Sequence, residues 1–233
     1  MKCGHVVLGV DEAGRGPIIG PMVVAGVAVC KGDEDRLEVI GVDDSKVLTP
    51  LQRKRLLSAI EAIAVQIIRV YVYPSLIDCE NLNVIERNTV AFIVGRCLDV
   101  CGDRLREVYV DAVGDPERLA AVVRGVGFRG RLVVEPKADA RYPAVSAASI
   151  VAKVYRDEAI DELRRVYGVR GSGYPTDPET LEWIREAYGR MEEPPWFVRR
   201  SWGTLKRVAP GWYKPKRSGG QRDRKQKTLF DYL

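Results

Sequence analysis

The sequence predicts an α/β fold: a mixed β-sheet flanked by helices, followed by a C-terminal helical subdomain. Three observations support this prediction. Short runs rich in Val and Ile alternate with segments of helical periodicity through the middle of the chain. Only a turn rich in glycine and proline separates the first two runs, so the sheet should begin with antiparallel strands and continue through parallel crossovers. After about residue 159 the strand pattern stops and helical periodicity takes over.

The predicted strands are short, dominated by β-branched residues, and mostly bounded by glycine, proline or charged residues. They are residues 6–10, 22–30, 64–73, 107–113 and 131–135. The main helices between them are predicted at 49–63 and 83–101. Thr49 can cap the first of these, with Pro50 at its first helical position.

Beyond the last strand, the prediction is a small-residue helix followed by a separate charged helix, then a loop at 171–178 and a helix capped by Thr176 or Asp177. Four parts result. Residues 1–158 form the sheet domain, 159–208 a helical subdomain, 209–225 a basic flexible linker, and 226–233 a terminal peptide.

Charge is unevenly distributed along the chain. The net charge is +5, and residues 211–233 carry all of it, so the preceding body is formally neutral. A basic and aromatic cluster at 196–207 is either a nucleic-acid surface or a solvated face. Neither end shows a charged-then-apolar leader, and no stretch reaches the roughly 18 uncharged apolar residues of a membrane span. We therefore expect a soluble, cytoplasmic protein with no membrane contact.

The five cysteines are odd in number and scattered, without a C-x-x-C pair. This pattern predicts neither a disulfide framework nor a zinc ribbon, and it favours a reducing compartment. Cys97 and Cys101 are four residues apart in a predicted helix, where two small apolar side chains on one face are the expected arrangement.

Acidic side chains carry the predicted chemistry. A single histidine, His5, excludes most nucleophilic triads, and no Walker A loop is present. Asp11 and Glu12 end the first strand, Asp111 ends the fourth, and Asp139 follows the fifth. Such strand ends converge at one edge of an α/β sheet. Carboxylates gathered there, without His or Cys, select Mg²⁺ or Mn²⁺ and suit metal-dependent phosphodiester hydrolysis.

Glu12 raises a geometric question, because adjacent residues of a regular strand point to opposite faces. Glu12 shares the direction of Asp11 only if the chain turns immediately after Asp11. The glycines at 14 and 16 permit such a turn.

Five ordered motifs, DEAGRGP (11–17), DDSK (43–46), YVDA (109–112), KADARYPAVSAASIVAKVYRD (137–157) and GSGYPTDP (171–178), resemble the signatures of type 2 ribonuclease H, specifically archaeal ribonuclease HII. The resemblance covers about residues 6–208. It implies an RNase H-like sheet, with residues 159–208 binding substrate. It also implies divalent-metal-dependent cleavage of RNA in RNA-DNA hybrids and incision 5′ to ribonucleotides embedded in duplex DNA. Such an enzyme would act in ribonucleotide removal and RNA primer processing.

The resemblance also assigns residues. The catalytic, metal-binding carboxylates fall on Asp11, Glu12, Asp111 and Asp139. The substrate-binding residues fall on Gly14, Arg15, Gly16, Lys46, Lys153 and Tyr174. In this assignment Gly14 and Gly16 let backbone groups approach the ribose 2′-hydroxyl, Arg15 pairs with a phosphate, and the Tyr174 ring packs on the sugar. Lys46 and Lys153 are phosphate contacts or solvated lysines.

Two other interpretations compete with this assignment. The ribonuclease HIII branch carries a long N-terminal domain and lacks the Gly-Arg-Gly pattern, whereas DEAGRGP begins here at residue 11, so ribonuclease HII is preferred. A catalytically idle, clamp-tethered nucleic-acid adaptor is the alternative from another class, and the retention of all four acids argues against it.

The last eight residues resemble the clamp-binding box Q-x-x-h-x-x-a-a, in which Gln226, Leu229, Tyr232 and Leu233 would engage a PCNA-type sliding clamp. Leu233 departs from the usual aromatic residue at the last position. The competing interpretation is a segment that folds back on its own body. We expect a monomer whose basic linker adds salt-sensitive attraction to phosphates.

Overall fold

The computed structural model describes residues 3–42, 48–111 and 114–216, and these residues contain a five-stranded mixed sheet in the order β3-β2-β1-β4-β5. The strands are β1 Val6–Ala13, β2 Met22–Cys30, β3 Gln66–Val72, β4 Leu105–Asp111 and β5 Arg131–Glu135. β2 pairs antiparallel with both β1 and β3, whereas β1 pairs parallel with β4, and β4 with β5. The predicted mixed sheet is confirmed.

The helices connect and cover these strands. They are α1 Glu34–Val39, α2 Pro50–Ile63, α3 Pro74–Ile77, α4 Leu82–Cys101, α5 Pro116–Gly125, α6 Pro143–Tyr167, α7 Pro178–Arg190 and α8 Leu205–Val208. Thr49 caps α2 through a reciprocal capping box with Gln52, and Asp177 caps α7. Both caps agree with the helix starts expected from the sequence.

The sheet is buried on both faces, and alternation along β1 decides which residue meets which layer. Val6, Leu8 and Val10 pack in the cluster formed with α4 and α5. Val7 packs in the cluster formed with α1, α2 and α6. Gly9 lies on that second face, where an added Cβ would come within 2.1 Å of the Ala144 backbone. The missing side chain lets α6 cross β1 in close contact.

One continuous helix, α6, replaces the two helices predicted after the last strand. Its first half is buried on the sheet and its second half packs with α7 and α8. The change in composition near residue 158 therefore marks a change in surroundings. No glycine or proline lies between Pro143 and Gly168 to end the helix there. The predicted boundary at 158/159 accordingly falls inside a helix.

The C-terminal region has its own apolar cluster, and two expectations for it are corrected. Ala209 and Trp212 are fully buried in this cluster, so the predicted linker, taken to begin at residue 209, has its first residues in the packed body. Burial of the large Trp212 indole stabilises the packed arrangement by more than the conformational entropy that these residues would keep in a flexible linker. Arg199, read from sequence as part of a possible nucleic-acid surface, is also fully buried.

Cysteine chemistry also differs from the prediction in one respect. Cys3 and Cys30 form a disulfide, because Cys3 lies three residues before Val6, the first residue of β1, and Cys30 pairs with Val6 at the end of the antiparallel neighbour β2. Their separation of 27 residues gave no such signal. Cys97 and Cys101 are buried free thiols on one side of α4, as expected. Among the described helices, none has the length and apolar character needed to span a bilayer.

Candidate active site

Three aspartates meet at one edge of the sheet. Asp11 lies near the end of β1, Asp111 ends the neighbouring parallel strand β4, and Asp139 lies in a short turn of 3₁₀ helix, Ala138–Ala140, after β5. Each offers a carboxylate oxygen within 4.8 Å of the others. Asp11 and Asp139 are buried and Asp111 is half-buried. The convergence arises because these strands deliver their ends to the same edge.

A strained turn brings Asp139 into this group. Lys137 has φ 62°, the only positive value among the described residues other than glycine, and it reverses the chain after β5. The Lys137 backbone N–H donates to Asp111 Oδ1 at 3.0 Å. Strain of this kind costs on the order of 1–3 kcal/mol and persists only where surrounding contacts impose it. Here the contact ties the turn directly to one of the aspartates.

The grouped carboxylates disfavour their own ionised forms. Burial, together with repulsion from Asp111, raises the pKa of Asp11 to about 7 against the opposing effect of hydrogen bonds from Ser149 and the Glu12 backbone N–H. Burial and the neighbouring Asp139 raise the pKa of Asp111. Acids held in this way favour the binding of a cation between them. Oxygen-only donors are those preferred by Mg²⁺ and Mn²⁺.

Glu12 lies beside this group but is not one of the three grouped acids. β1 continues in regular register through Ala13, so the turn that could have aligned Glu12 with Asp11 comes later, at Gly14, whose φ is 86°. Glu12 therefore faces the α4 side of the sheet. Its pKa is raised by burial, then by Glu86 of α4 and by Asp11, while Arg15 lowers it.

A groove of about 380 Å³ opens next to the carboxylates. The predicted residues that line it are Glu12, Gly14, Arg15, Gly16, Lys153 and Tyr174. A Cβ added at Gly16 would lie 3.5 Å from Tyr174 Cε1, so the glycine backbone and the aromatic ring face each other at close range. Lys153 lies one helical turn after Ser149 on α6, and its charge lowers the pKa of Asp11.

Two side chains that sequence analysis did not select support this site. Glu86 is buried on α4 and forms an ion pair with Arg15, whose guanidinium also contacts Asn83. Ser149 is buried on α6 and hydrogen-bonds Asp11. Glu86 sits in a long, mostly apolar helix, and Ser149 sits among alanines that packing alone explains. Neither pattern distinguishes a site residue until the tertiary contacts are known.

The remaining predicted residues lie elsewhere or outside the described chain. Lys46 and the clamp-binding candidates Gln226, Leu229, Tyr232 and Leu233 fall outside the described residues. His5 is at the opposite end of the sheet, where Nε2 pairs with Glu107 Oε1 at 2.8 Å near the start of β4. The exclusion of histidine from the site therefore agrees with the structure.

Comparison with known proteins identifies the family. The family model described as Ribonuclease HII matches residues 8–205. Ribonuclease HII of Hyperthermus butylicus is 55% identical, covering 100% of this chain and 96% of that protein. The crystal structure of ribonuclease H2 from Pyrococcus horikoshii OT3 superposes with a TM-score of 0.79 at 39% identity, covering 89% of this chain and 98% of the other.

A solved complex is also similar. The structure of the PCNA:RNase HII complex from Archaeoglobus fulgidus matches with a TM-score of 0.75 at 38% identity, covering 97% of this chain and 99% of that chain. The extent of these matches favours an enzyme over the idle adaptor, and ribonuclease HII over the HIII branch. The similarity extends along nearly the whole chain and agrees with the three grouped carboxylates and the glycine-lined groove beside them. This chain therefore belongs to the ribonuclease HII family and is a ribonuclease H endonuclease.

Proposed function

We propose that this enzyme hydrolyses the RNA strand of RNA-DNA hybrids and incises duplex DNA on the 5′ side of embedded ribonucleotides, leaving 5′-phosphate and 3′-hydroxyl ends. The observation that carries the proposal is the position of the grouped aspartates beside the groove lined by Gly14, Gly16 and Tyr174. A phosphodiester at the carboxylates would then place its neighbouring sugar against the backbone of Gly14–Gly16, called here the glycine loop. Chemistry and sugar recognition would act on the same nucleotide.

The donor set fits divalent cations such as Mg²⁺ or Mn²⁺, and we propose that two of them act together. Three carboxylates within 4.8 Å of one another offer only hard oxygen donors. Burial and mutual repulsion make their ionised forms unfavourable when no cation lies between them. Asp11, Asp111 and Asp139 would hold the ions, and Glu12, beside them on β1, would be a fourth ligand. Bound ions of this type lower the pKa of an attacking water and stabilise the leaving oxygen.

The chain's own residues would orient the substrate. With no side chain at Gly14 and Gly16, backbone groups can come within hydrogen-bonding distance of a ribose 2′-hydroxyl. Arg15 is held by Glu86 and Asn83 at the rim of the groove, where it can also meet a phosphate. The Tyr174 ring, partly exposed and facing Gly16, offers a surface on which the sugar can pack.

This arrangement provides a physical basis for selecting ribose over deoxyribose. A site that hydrogen-bonds a substrate hydroxyl leaves its polar groups unpaired when the analogue lacks that hydroxyl, which discriminates by about 10⁴ or more in well-built cases. Lys153 lines the groove, and Lys46 belongs to the DDSK motif at residues 43–46. Both would contact phosphates without distinguishing the sugar. We assign catalysis to the carboxylates and specificity to the glycine loop and tyrosine.

The tail would tether the enzyme to a sliding clamp. Gln226, Leu229, Tyr232 and Leu233 have the spacing of a clamp-binding peptide, and the similar Archaeoglobus fulgidus protein was solved as a complex with PCNA. Tethering raises the local concentration of enzyme on DNA without new contacts to the substrate. A monomeric enzyme working at a clamp would suit ribonucleotide removal and RNA primer processing.

A nicking assay tests the catalytic proposal. The substrate is a labelled DNA duplex with one internal ribonucleotide, incubated with and without Mg²⁺ or Mn²⁺, and the product ends are mapped. We expect metal-dependent incision 5′ to the ribonucleotide, and at least about a thousandfold loss of rate in Asp111→Asn and Asp139→Asn, since each removes a ligand charge from the reaction centre. Asp99→Asn, an exposed acid paired with Arg96 on α4, is the matched control and should retain full activity.

The product ends and the metal requirement decide the result. Incision on the 3′ side of the ribonucleotide, or equal rates in EDTA, would contradict the proposed mechanism. Full activity in both aspartate variants would show that the grouped carboxylates are not the reaction centre.

A further inference from the structure

A buried arginine from the C-terminal region holds the glycine loop from behind. Arg199 is 0% exposed, and its guanidinium donates to three backbone carbonyls. Nη2 donates to Gly14 O at 2.6 Å, Nη1 to Arg15 O at 3.0 Å and Nε to Gly20 O at 2.9 Å. These contacts link residues more than 175 positions apart in the sequence.

The rest of the same segment adds further bonds to the loop. The Arg199 backbone N–H donates to Ile18 O at 2.9 Å, and the Gly20 N–H donates to Phe197 O at 2.8 Å. The indole Nε1 of Trp202 donates to Gly16 O at 2.9 Å. The carbonyls of Gly14 and Gly16, on either side of Arg15, are therefore held by two side chains, Arg199 and Trp202, of the segment 197–202.

These bonds set the direction of the loop's amide groups. In a trans peptide unit the C=O and the following N–H point in opposite directions. Because the carbonyls of Gly14 and Arg15 point at Arg199, the N–H groups of Arg15 and Gly16 point away from it. A guanidinium is a rigid planar fork that holds several carbonyls in a fixed arrangement, whereas the three donors of an ammonium converge on one atom at the end of a flexible stem.

Stability alone does not explain a cation at this position. All three hydrogen-bond acceptors are neutral carbonyls. Asp78 attracts the charge at longer range and the Trp202 ring lies 5.0 Å from Cζ, but among the described residues no carboxylate forms an ion pair with it. Burying such a charge carries a desolvation penalty that an apolar residue of similar size would avoid. Burial lowers the pKa of Arg199 to about 9, so the side chain remains charged at neutral pH. A buried charge that donates to the carbonyls of Gly14 and Arg15, and to Gly20 just beyond them, is suited to fixing the shape of that loop.

We propose that Arg199 is a positioning residue for ribose recognition: it orients the Gly14–Gly16 backbone that bonds the 2′-hydroxyl, with Trp202 in a supporting role. The inference rests on the proposed function, because it concerns how the glycine loop reads the sugar. Arg199 is fully buried and does not line the groove, and its guanidinium bonds go to backbone carbonyls instead of to the grouped aspartates. Its loss should therefore weaken the distinction between ribose and deoxyribose more than it weakens binding of the duplex.

The test measures a ratio of affinities, which a simple loss of folded protein does not change. All proteins carry Asp111→Asn, so that substrate stays intact in Mg²⁺, and each is titrated with a duplex containing one ribonucleotide and with the same duplex in all-DNA form. The parent should prefer the ribonucleotide by at least about fivefold, equivalent to one net hydrogen bond. Arg199→Lys should bring that ratio close to one, and Trp202→Phe should lower it partway.

Arg200→Lys is the matched control. Arg200 is the adjacent residue, but it donates to Trp212 O and pairs with Glu193, away from the glycine loop, so its variant should keep the parent ratio. If Arg199→Lys does not fold, Trp202→Phe carries the test, since it retains the guanidinium and the aromatic ring while losing the bond to Gly16 O. Circular dichroism establishes the folded state of each protein.

Two unfavourable outcomes are distinguishable. A clear parental preference that persists unchanged in Arg199→Lys and in Trp202→Phe would overturn the positioning role while leaving the proposed function intact. A parent with no preference for the ribonucleotide would instead overturn the proposed recognition by the glycine loop, and the inference with it.

Discussion

The Asp11 carboxylate should destabilise the metal-free fold at neutral pH, and its replacement by Asn should relieve this. Asp11 is buried, and burial followed by repulsion from Asp111 raises its pKa from 3.8 to about 7. Asn keeps an oxygen that can accept the hydrogen bonds from Ser149 and from the Glu12 backbone. The substitution therefore removes the charge while preserving the contacts.

The sign and size follow from proton linkage. Between about pH 4 and pH 7 the unfolded chain has released the Asp11 proton while the folded protein still holds it, so the free energy of unfolding falls as the pH rises. The difference between 3.8 and about 7 corresponds to about 4 kcal/mol at full effect. In EDTA, Asp11→Asn should be more stable than the parent by up to about 4 kcal/mol at pH 8, and by less than about 1 kcal/mol at pH 4.

Guanidinium unfolding in EDTA at several pH values measures this difference. Asp177→Asn is a control of opposite sign. Hydrogen bonds from the Ser172 side chain and backbone lower the pKa of Asp177, so its ionised form is the stabilising one and the variant should lose stability at pH 8. Adding Mn²⁺ should reverse the ranking at Asp11, because a cation that binds only the folded parent stabilises it.

A parent more stable than Asp11→Asn in EDTA at pH 8 would refute the electrostatic reasoning. So would a difference that stays constant from pH 4 to pH 8, because a contact effect that does not involve proton release has no such dependence.

Four further predictions concern the groove and the tail. Gly16→Ala should change the free energy of unfolding by no more than about 0.5 kcal/mol, since the added Cβ meets Tyr174 only at ordinary contact distance. The rate of nicking should nevertheless fall at least tenfold, because the methyl group occupies the space for the sugar. An unchanged rate would exclude close backbone approach at this position. Gly14→Ala should cost on the order of 1–3 kcal/mol in denaturant unfolding, because φ is 86° and the added Cβ would lie 2.9 Å from Pro21 O. Tyr174→Phe should nick within about twofold of the parent and Tyr174→Ala at least tenfold slower, as stacking needs only the ring; equal losses in the two variants would assign the role to the hydroxyl. Deleting residues 226–233 should abolish clamp binding in a pull-down while leaving hydrolysis of short duplexes unchanged, and parallel loss of both would show that the tail belongs to the fold.

Local sequence was enough to predict the strands and most helix starts. Residues 22–30 and 131–135 are strands with the predicted bounds, and Thr49 and Asp177 cap helices where capping chemistry placed them. Such features depend on neighbours within a few residues of one another, as in a capping box or a β-branched run. Strand ends then predicted the meeting of Asp11, Asp111 and Asp139, because topology brings those ends to one edge.

Other features were decided by partners far away in the chain. The face of the sheet to which Glu12 points depended on where β1 stops, and pairing with β2 carries that strand past Glu12 to Ala13. The continuity of α6 across a change in composition depended on what each half packs against. The Cys3–Cys30 disulfide depended on strand register, which a 27-residue spacing does not reveal.

By itself, then, the sequence determined the fold class, the acidic chemistry and the family, because strand ends, oxygen ligands and glycine turns are properties of short segments. Only the tertiary structure showed that Glu86 holds Arg15, that Ser149 bonds Asp11 and that Arg199 is buried behind the glycine loop. A buried charge and a solvated one look the same in a sequence. The difference lies in which backbone carbonyls the folded chain brings within reach of the guanidinium.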